Sequence, residues 1–123
     1  MQRPNAIIAQ PDSRSAAELA AALQGHCRSV YVARSPEEVV SSVPKHRAEI
    51  VIVDLELLPL RLVKELRQQF GNVQIVCTHR LADEELWAQS LESGADDCCV
   101  SGDVSGIVRA ALVQQKLARG KAA

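Results

Sequence analysis

The chain predicts an α/β domain built on a doubly wound parallel sheet, and three observations predict it. The run Ile50-Val51-Ile52-Val53 places four β-branched apolar residues in succession. That is the pattern of a strand buried on both faces, as in a parallel sheet covered by helices. Strand-like and helix-like segments alternate along the chain, separated by short connections that carry Gly, Pro, Asp or Ser. The 123 residues, with 47% hydrophobic side chains and no repeat, linker or low-complexity tract, set one domain over 1–123.

Each element has a local reason. The first strand is the apolar run Ala6 to Ala9, followed by Gln10-Pro11-Asp12. A helix follows with Ala16, Leu19, Ala20 and Leu23 on one face, stopped at Gly25. Val30-Tyr31-Val32 is the second strand. Ser35-Pro36-Glu37-Glu38 then starts a helix, with Ser35 as N-cap, Pro36 in the first turn and Glu38 closing a capping box. That helix is expected to stop before Pro44. The third strand runs to Asp54, and the third helix spans Pro59 to Phe70 with Leu62, Val63, Leu66 and Phe70 at helical spacing, stopped by Gly71-Asn72. Val73 to Thr78 is the fourth strand. A helix from about Ala82 to Gly94 turns Leu86, Trp87 and Leu91 inward, and Cys98-Cys99-Val100 is the fifth strand. The last helix, from about Asp103 to Arg119, buries Val104, Ile107, Val108, Ala111 and Leu112, with Gln115 at its edge.

Composition excludes several classes of function. A net charge of -1 gives no electrostatic reason for direct binding to nucleic acid or to an anionic membrane, and 2% aromatic residues provide no stacking platform for single strands. No stretch approaches the apolar length needed to cross a bilayer, and the first residues lack the apolar core of a signal peptide, so a cytoplasmic location is expected. The 4 cysteines, Cys27, Cys77, Cys98 and Cys99, form no C-x-x-C pair, which fits reduced core thiols and neither a disulfide framework nor a zinc site. The neighbours His26 and Cys27 lack a third group to orient the imidazole, and packing is the better account of Cys27. His46 and His79 have no metal-ligand spacing.

With right-handed crossovers the strand order is 2-1-3-4-5, with helices on both faces. The switch point then lies between the first and third strands, so Gln10-Pro11-Asp12 and Asp54 share one crevice beyond the carboxyl ends of the strands.

These residues resemble the flavodoxin-like receiver domains of two-component response regulators from Ala6 to about Leu117. Asp54 ends the third strand with Pro59 soon after it, Thr78 ends Ile75-Val76-Cys77-Thr78, and Glu92-Ser93-Gly94-Ala95-Asp96-Asp97 resembles the segment leading into the fifth strand. The resemblance implies that Asp54 stands at the phosphoacceptor position and Thr78 at that of the switch hydroxyl. The rest of the machinery departs from the pattern. Gln10 and Pro11 occupy the positions of the acidic pair that holds Mg²⁺, and Ser101 stands at the lysine position. Asp12, a possible substitute acid, lies one residue late and suits an N-cap of the first helix. Cys98 replaces the aromatic switch residue, and the proline after Asp54 arrives one residue late.

The reading is a receiver-like module that is not an enzyme. It works in signalling through a protein partner or effector domain, without metal or other cofactor and without Mg²⁺-dependent phosphorylation. The alternative is a functional receiver phosphorylated on Asp54 by a histidine kinase, with Mg²⁺ held by Asp12 and Gln10. In the first of these readings Thr78 is expected to satisfy its hydroxyl on the backbone, and it is a switch only if Asp54 is modified. Asp83, Glu84, Glu85, Glu92, Asp96 and Asp97 precede a basic set of Arg109, Lys116, Arg119 and Lys121. This leaves two accounts open: a homodimer through the fourth helix, fifth strand and fifth helix, or two solvated faces.

Overall fold

The computed structural model describes residues 3–112. Its elements are β1 (Asn5–Ala9), α1 (Ser13–Leu23), β2 (Ser29–Val32), α2 (Pro36–Lys45), β3 (Ile50–Asp54), α3 (Leu60–Gln69), β4 (Gln74–His79), α4 (Glu84–Glu92) and β5 (Asp97–Val100). A fifth helix, α5, runs over 104–112 within the described residues. The strands form one parallel sheet in the order β2-β1-β3-β4-β5, the flavodoxin-like arrangement that the alternation predicts. The expected continuation of the last helix, with Gln115, Lys116, Arg119 and Lys121, lies outside the described residues.

All five residues of β3 are buried because the strand sits at the centre of the sheet with helices on both sides. Val51 and Val53 face α2 and α3 through Val39, Val43, Val63 and Leu66. Ile50 and Ile52 face α1 and α5 through Leu19, Leu23, Ile107 and Ala111. Alternation of side chains along a strand therefore explains why four consecutive positions are apolar. The same alternation sends Cys98 to the α2–α3 layer and Cys99 to the α1–α5 layer; Cys98 is buried, whereas Cys99 is half-buried and not fully enclosed as expected.

The helix starts follow their caps. Asp12 accepts from the backbone N–H of Ser15 at 2.7 Å, Ser35 from that of Glu38 at 3.1 Å, and Asp83 from that of Leu86 at 2.9 Å. The carboxylate of Glu38 reaches back past the Ser35 N–H that the expected capping box would use, to the N–H of Arg34 at 2.6 Å and to the hydroxyl of Tyr31.

Three expectations are corrected. The second helix does not stop before Pro44 but continues to Lys45. Proline removes one N–H, and here the loss falls in the last turn, where the following groups keep partners: His46 donates to Ser42 at 2.9 Å and Ala48 to Val43 at 2.9 Å. The chain then leaves through Arg47 at φ 51, the left-handed position that usually takes glycine. The fourth helix starts at Glu84, and Trp87 is not inward but 46% exposed; Leu86 and Leu91 are half-buried and only Ser90 is fully buried. The edge strand β5 offers α4 too little apolar surface to cover a whole indole, and Trp87 instead donates through Nε1 to Asp97 Oδ1 at 3.1 Å. The first helix ends at Leu23 with Gln24 as its C-cap, so Gly25 follows its end as expected.

At the edge where helices lead into strands, Arg67 joins three segments. It donates to the carbonyls of Gly94 (2.8 Å), Gly71 (3.0 Å) and Val73 (2.7 Å) and pairs with Asp96 at 2.8 Å. Gly94, at φ 111, lies against this side chain, and an added Cβ would stand 2.7 Å from Arg67 Cβ. Only a glycine fits both demands. Asp96 is thereby drawn into the fold, and its Oδ2 also accepts the N–H of Ile75 at 2.9 Å.

Candidate functional site

The crevice lies at the opposite edge, beyond the carboxyl ends of β1, β3, β4 and β5. Register places Asp54 beside Thr78 on neighbouring strands, so their side chains emerge on one face. Thr78 Oγ1 donates to Asp54 Oδ2 at 2.7 Å, and Ser101, just past β5, donates through Oγ to the same oxygen at 2.9 Å. The backbone N–H of Glu56 donates to Asp54 Oδ1 at 2.9 Å. Gln10, just past β1, reaches across with Nε2 to Thr78 Oγ1 at 3.2 Å. Asp54 is 1% exposed, Thr78 0% and Gln10 7%. A buried carboxylate is costly unless hydrogen bonds meet it, and here two hydroxyls and one amide do so, with no cation in contact among the described residues. The hydroxyl of Thr78 is thus satisfied by Asp54 and not by the backbone as expected. The hydrogen-bonded series from Gln10 through Thr78 to Asp54 polarises each member in the same sense.

The remaining site residues take distinct places. Asp12 lies at the crevice but turns both oxygens to Ser15, with Oδ2 accepting the hydroxyl at 2.8 Å. The backbone N–H of Ser15, and then its hydroxyl, hold the Asp12 carboxyl below its ordinary range. Pro11 has no side-chain ligand. Cys98 packs in the α2–α3 layer beside Cys77, its partner on β4, and burial pushes both thiols up. Burial also raises Cys99, to about 11, and Cys27, so none of the four is a ready nucleophile. His26 is exposed and Cys27 buried, which leaves no dyad there.

Two functional positions escaped the sequence reading. Glu56 and Arg80 line the crevice with Asp54, and Arg80 Nε donates to Glu56 Oε1 at 2.5 Å, with His79 Nε2 4.0 Å from the same oxygen. Arg80 stands at the rim of the crevice, engaged by Glu56. The signal that could have found the pair is register. Asp54 and Thr78 are strand partners, so residues two positions beyond each meet over the mouth.

The cavity at Asp54 has a volume of about 380 Å³. A larger groove of about 520 Å³ lies between α2 and α3 over Val40, Leu58 and Leu62, but it carries none of this chemistry. The residues at the crevice do not fit the Mg²⁺ of receiver domains. Mg²⁺ demands near-octahedral oxygen ligands at about 2.0–2.1 Å. Asp12 is turned onto α1, Glu56 onto Arg80, and both oxygens of Asp54 are engaged. Among the described residues no three His, Cys, Asp or Glu side chains converge closely enough to hold a metal ion.

No family model and no curated protein matches the chain. Solved structures do match in fold. The receiver domain of NarL from Mycobacterium tuberculosis superposes with a TM-score of 0.82 at 14% identity, covering 94% of this chain and 98% of that one. The Francisella response regulator 1452 receiver domain gives 0.80 at 19% identity, covering 94% and 99%. CheY in its complex with CheX, BeF3 and Mg²⁺ from Borrelia burgdorferi gives 0.75 at 18% identity, covering 88% of each chain. At these identities the likeness is one of fold.

Proposed function

We propose that this chain is a receiver-like module of two-component signalling that acts through protein–protein contact and does not depend on Mg²⁺-assisted phosphorylation of Asp54. The observation that carries the reading is the closed environment of Asp54, whose oxygens are taken by Thr78, Ser101 and Glu56. Phosphoryl transfer to a carboxylate needs compensation of the charge on the phosphoryl oxygens. Here the lysine position is a serine and the nearby guanidinium of Arg80 is engaged by Glu56. The module is a signalling part and not a catalyst.

The contact surface follows from exposure. Leu81 (71%), Trp87 (46%) and Val100 (46%) are the exposed large apolar residues among those described, and all belong to the α4–β5 edge. Glu84, Glu85 and Glu92 on α4 are exposed, as is Arg109 on α5. An apolar strip with charges of both signs suits an effector domain, a partner protein or a second copy related by a two-fold axis. In the comparison structure, CheY is found with a protein partner, CheX.

The test is intact mass after incubation with Mg²⁺ and acetyl phosphate. The expected result is unmodified protein. A phosphate adduct that disappears in Asp54→Asn overturns the proposal in favour of the phosphorylated receiver.

A further inference from the structure

The groove between α2 and α3 has an apolar floor that no described residue covers. Leu58 forms its base at 1% exposure, and Pro36, Val40 and Leu62 line its walls half-buried. The inner sides of Val40 and Leu62 pack on the core, so their outer sides make one apolar patch between the helices. The base is preformed, because the N–H of Leu58 donates to the carbonyl of Asp54 at 2.9 Å and ties it to the end of the central strand. A preformed surface costs little ordering when it is occupied. The open volume of about 520 Å³ has room for more than one aliphatic side chain.

The rims of this groove carry charge of one sign. Glu37 stands on the α2 side and Glu65 on the α3 side, both exposed, and no lysine or arginine lines the space between them. Neither carboxylate has an ion-pair partner among the described residues, whereas Glu56 is paired with Arg80 and Asp96 with Arg67. One solvated carboxylate carries no message, but two that flank an apolar floor from opposite walls define a complementary shape and charge. A nucleic acid or an anionic membrane is repelled by them, and a wholly apolar segment leaves them unanswered. The lining also recurs at one-turn intervals, from Glu37 to Val40 on one wall and from Leu58 through Leu62 to Glu65 on the other. That spacing matches the anchors of a helix laid into a groove.

The geometry points to the α2–α3 groove as the docking site for a basic amphipathic helix of a partner protein, with aliphatic anchors over Val40, Leu58 and Leu62 and lysine or arginine on both flanks against Glu37 and Glu65. This surface is separate from the α4–β5 edge and draws on no chemistry of Asp54. A phosphate adduct in the mass experiment would therefore overturn the proposed function and leave the groove's own test readable.

The test is a titration of the ¹⁵N-labelled full chain at low ionic strength with the acetylated, amidated peptide GKALKKALKKALKG, which places leucine at every fourth position between lysines. The backbone amides of Glu37, Val40, Leu62 and Glu65 report the groove, and those of Glu84 and Glu92 report the acidic helix α4. Saturable shifts are expected at the groove. The double variant Glu37→Gln, Glu65→Gln should weaken binding roughly fivefold, as two exposed ion pairs would, while Glu84→Gln with Glu85→Gln leaves it unchanged. A peptide with alanine for every leucine should bind roughly tenfold or more weakly, and one with glutamine for every lysine should lose about as much as the Glu37, Glu65 variant loses. Shifts confined to α4, equal binding of the glutamine peptide, affinity untouched in the Glu37, Glu65 variant, or no saturable change would overturn the proposal. Groove shifts on diluting the chain alone would also overturn it, by assigning the surface to a second copy.

Discussion

Replacing Thr78 by valine removes the one hydroxyl that both receives Gln10 and serves Asp54. The side chain is fully buried, so water cannot take its place. Among the described residues, Asp54 Oδ2 loses its 2.7 Å donor and keeps only Ser101, and Gln10 Nε2 loses its 3.2 Å acceptor while its Oε1 is already without a partner. A hydrogen bond to a charged group contributes about 1.5–3 kcal/mol, and a newly orphaned buried donor costs about 1–3 kcal/mol. The extra buried methyl group returns about 0.8 kcal/mol, which leaves a net loss of roughly 2–5 kcal/mol. Ser101→Ala should cost less, about 1 kcal/mol, because Ser101 is half-buried and water can reach Asp54 in its stead. Urea unfolding of the two single variants and the double variant reads these values, with unchanged m showing that the denatured state is not altered. Because both hydroxyls serve one oxygen, the double variant should depart from additivity by about 0.5 kcal/mol or more. A Thr78→Val domain that loses less than about 1 kcal/mol, with Ser101→Ala strictly additive, would refute the account of Asp54 as satisfied by neutral donors.

Other perturbations test the framework around the crevice. Gly94→Ala should destabilise by about 3 kcal/mol, since φ is 111 and the new Cβ meets Arg67 Cβ at 2.7 Å; a thermal midpoint equal to that of the parent would contradict the geometry. Arg47→Gly should stabilise by roughly 0.5–1 kcal/mol, because relief of a left-handed φ of 51 exceeds the entropy glycine gains in the unfolded chain, and a loss in urea unfolding would show that the side chain matters more. The Asp12 carboxyl is held low by Ser15, so its cap contributes fully above the unfolded value of about 3.9 and is lost as pH falls through the lower folded value. Asp12→Asn caps without ionising and should flatten the acid limb below about pH 4; parallel decline of the two proteins there would speak against it.

Most of the fold is legible because its signals are local or are forced by burial on both faces. Ile50 to Val53 admit one environment, and the N-caps Ser35 and Asp12 act on N–H groups three residues away. Pro44 misled because a proline's effect depends on how many helical bonds follow it, and here few do. Trp87 misled because periodicity finds an apolar face but not how much sheet lies beneath it. At the crevice, Asp54, Thr78, Gln10 and Ser101 were identifiable as strand-end positions, but their bonding was not, since it joins residues 24, 47 and 68 apart in the chain. The Glu56–Arg80 pair is of the same kind, needing the register of β3 against β4 before the two loops can be seen to meet.

The Arg67 clamp has a mechanical consequence. It seizes the C-terminal exit of α4 at Gly94 and Asp96, while the helix itself keeps only Ser90 fully enclosed and its entrance follows the exposed Leu81. A rod pinned at one tip and lightly seated along its length yields by pivoting. Amide hydrogen exchange along α4 is accordingly expected to be faster toward Glu84, on the side of Arg80, than toward Glu92, where the clamp holds.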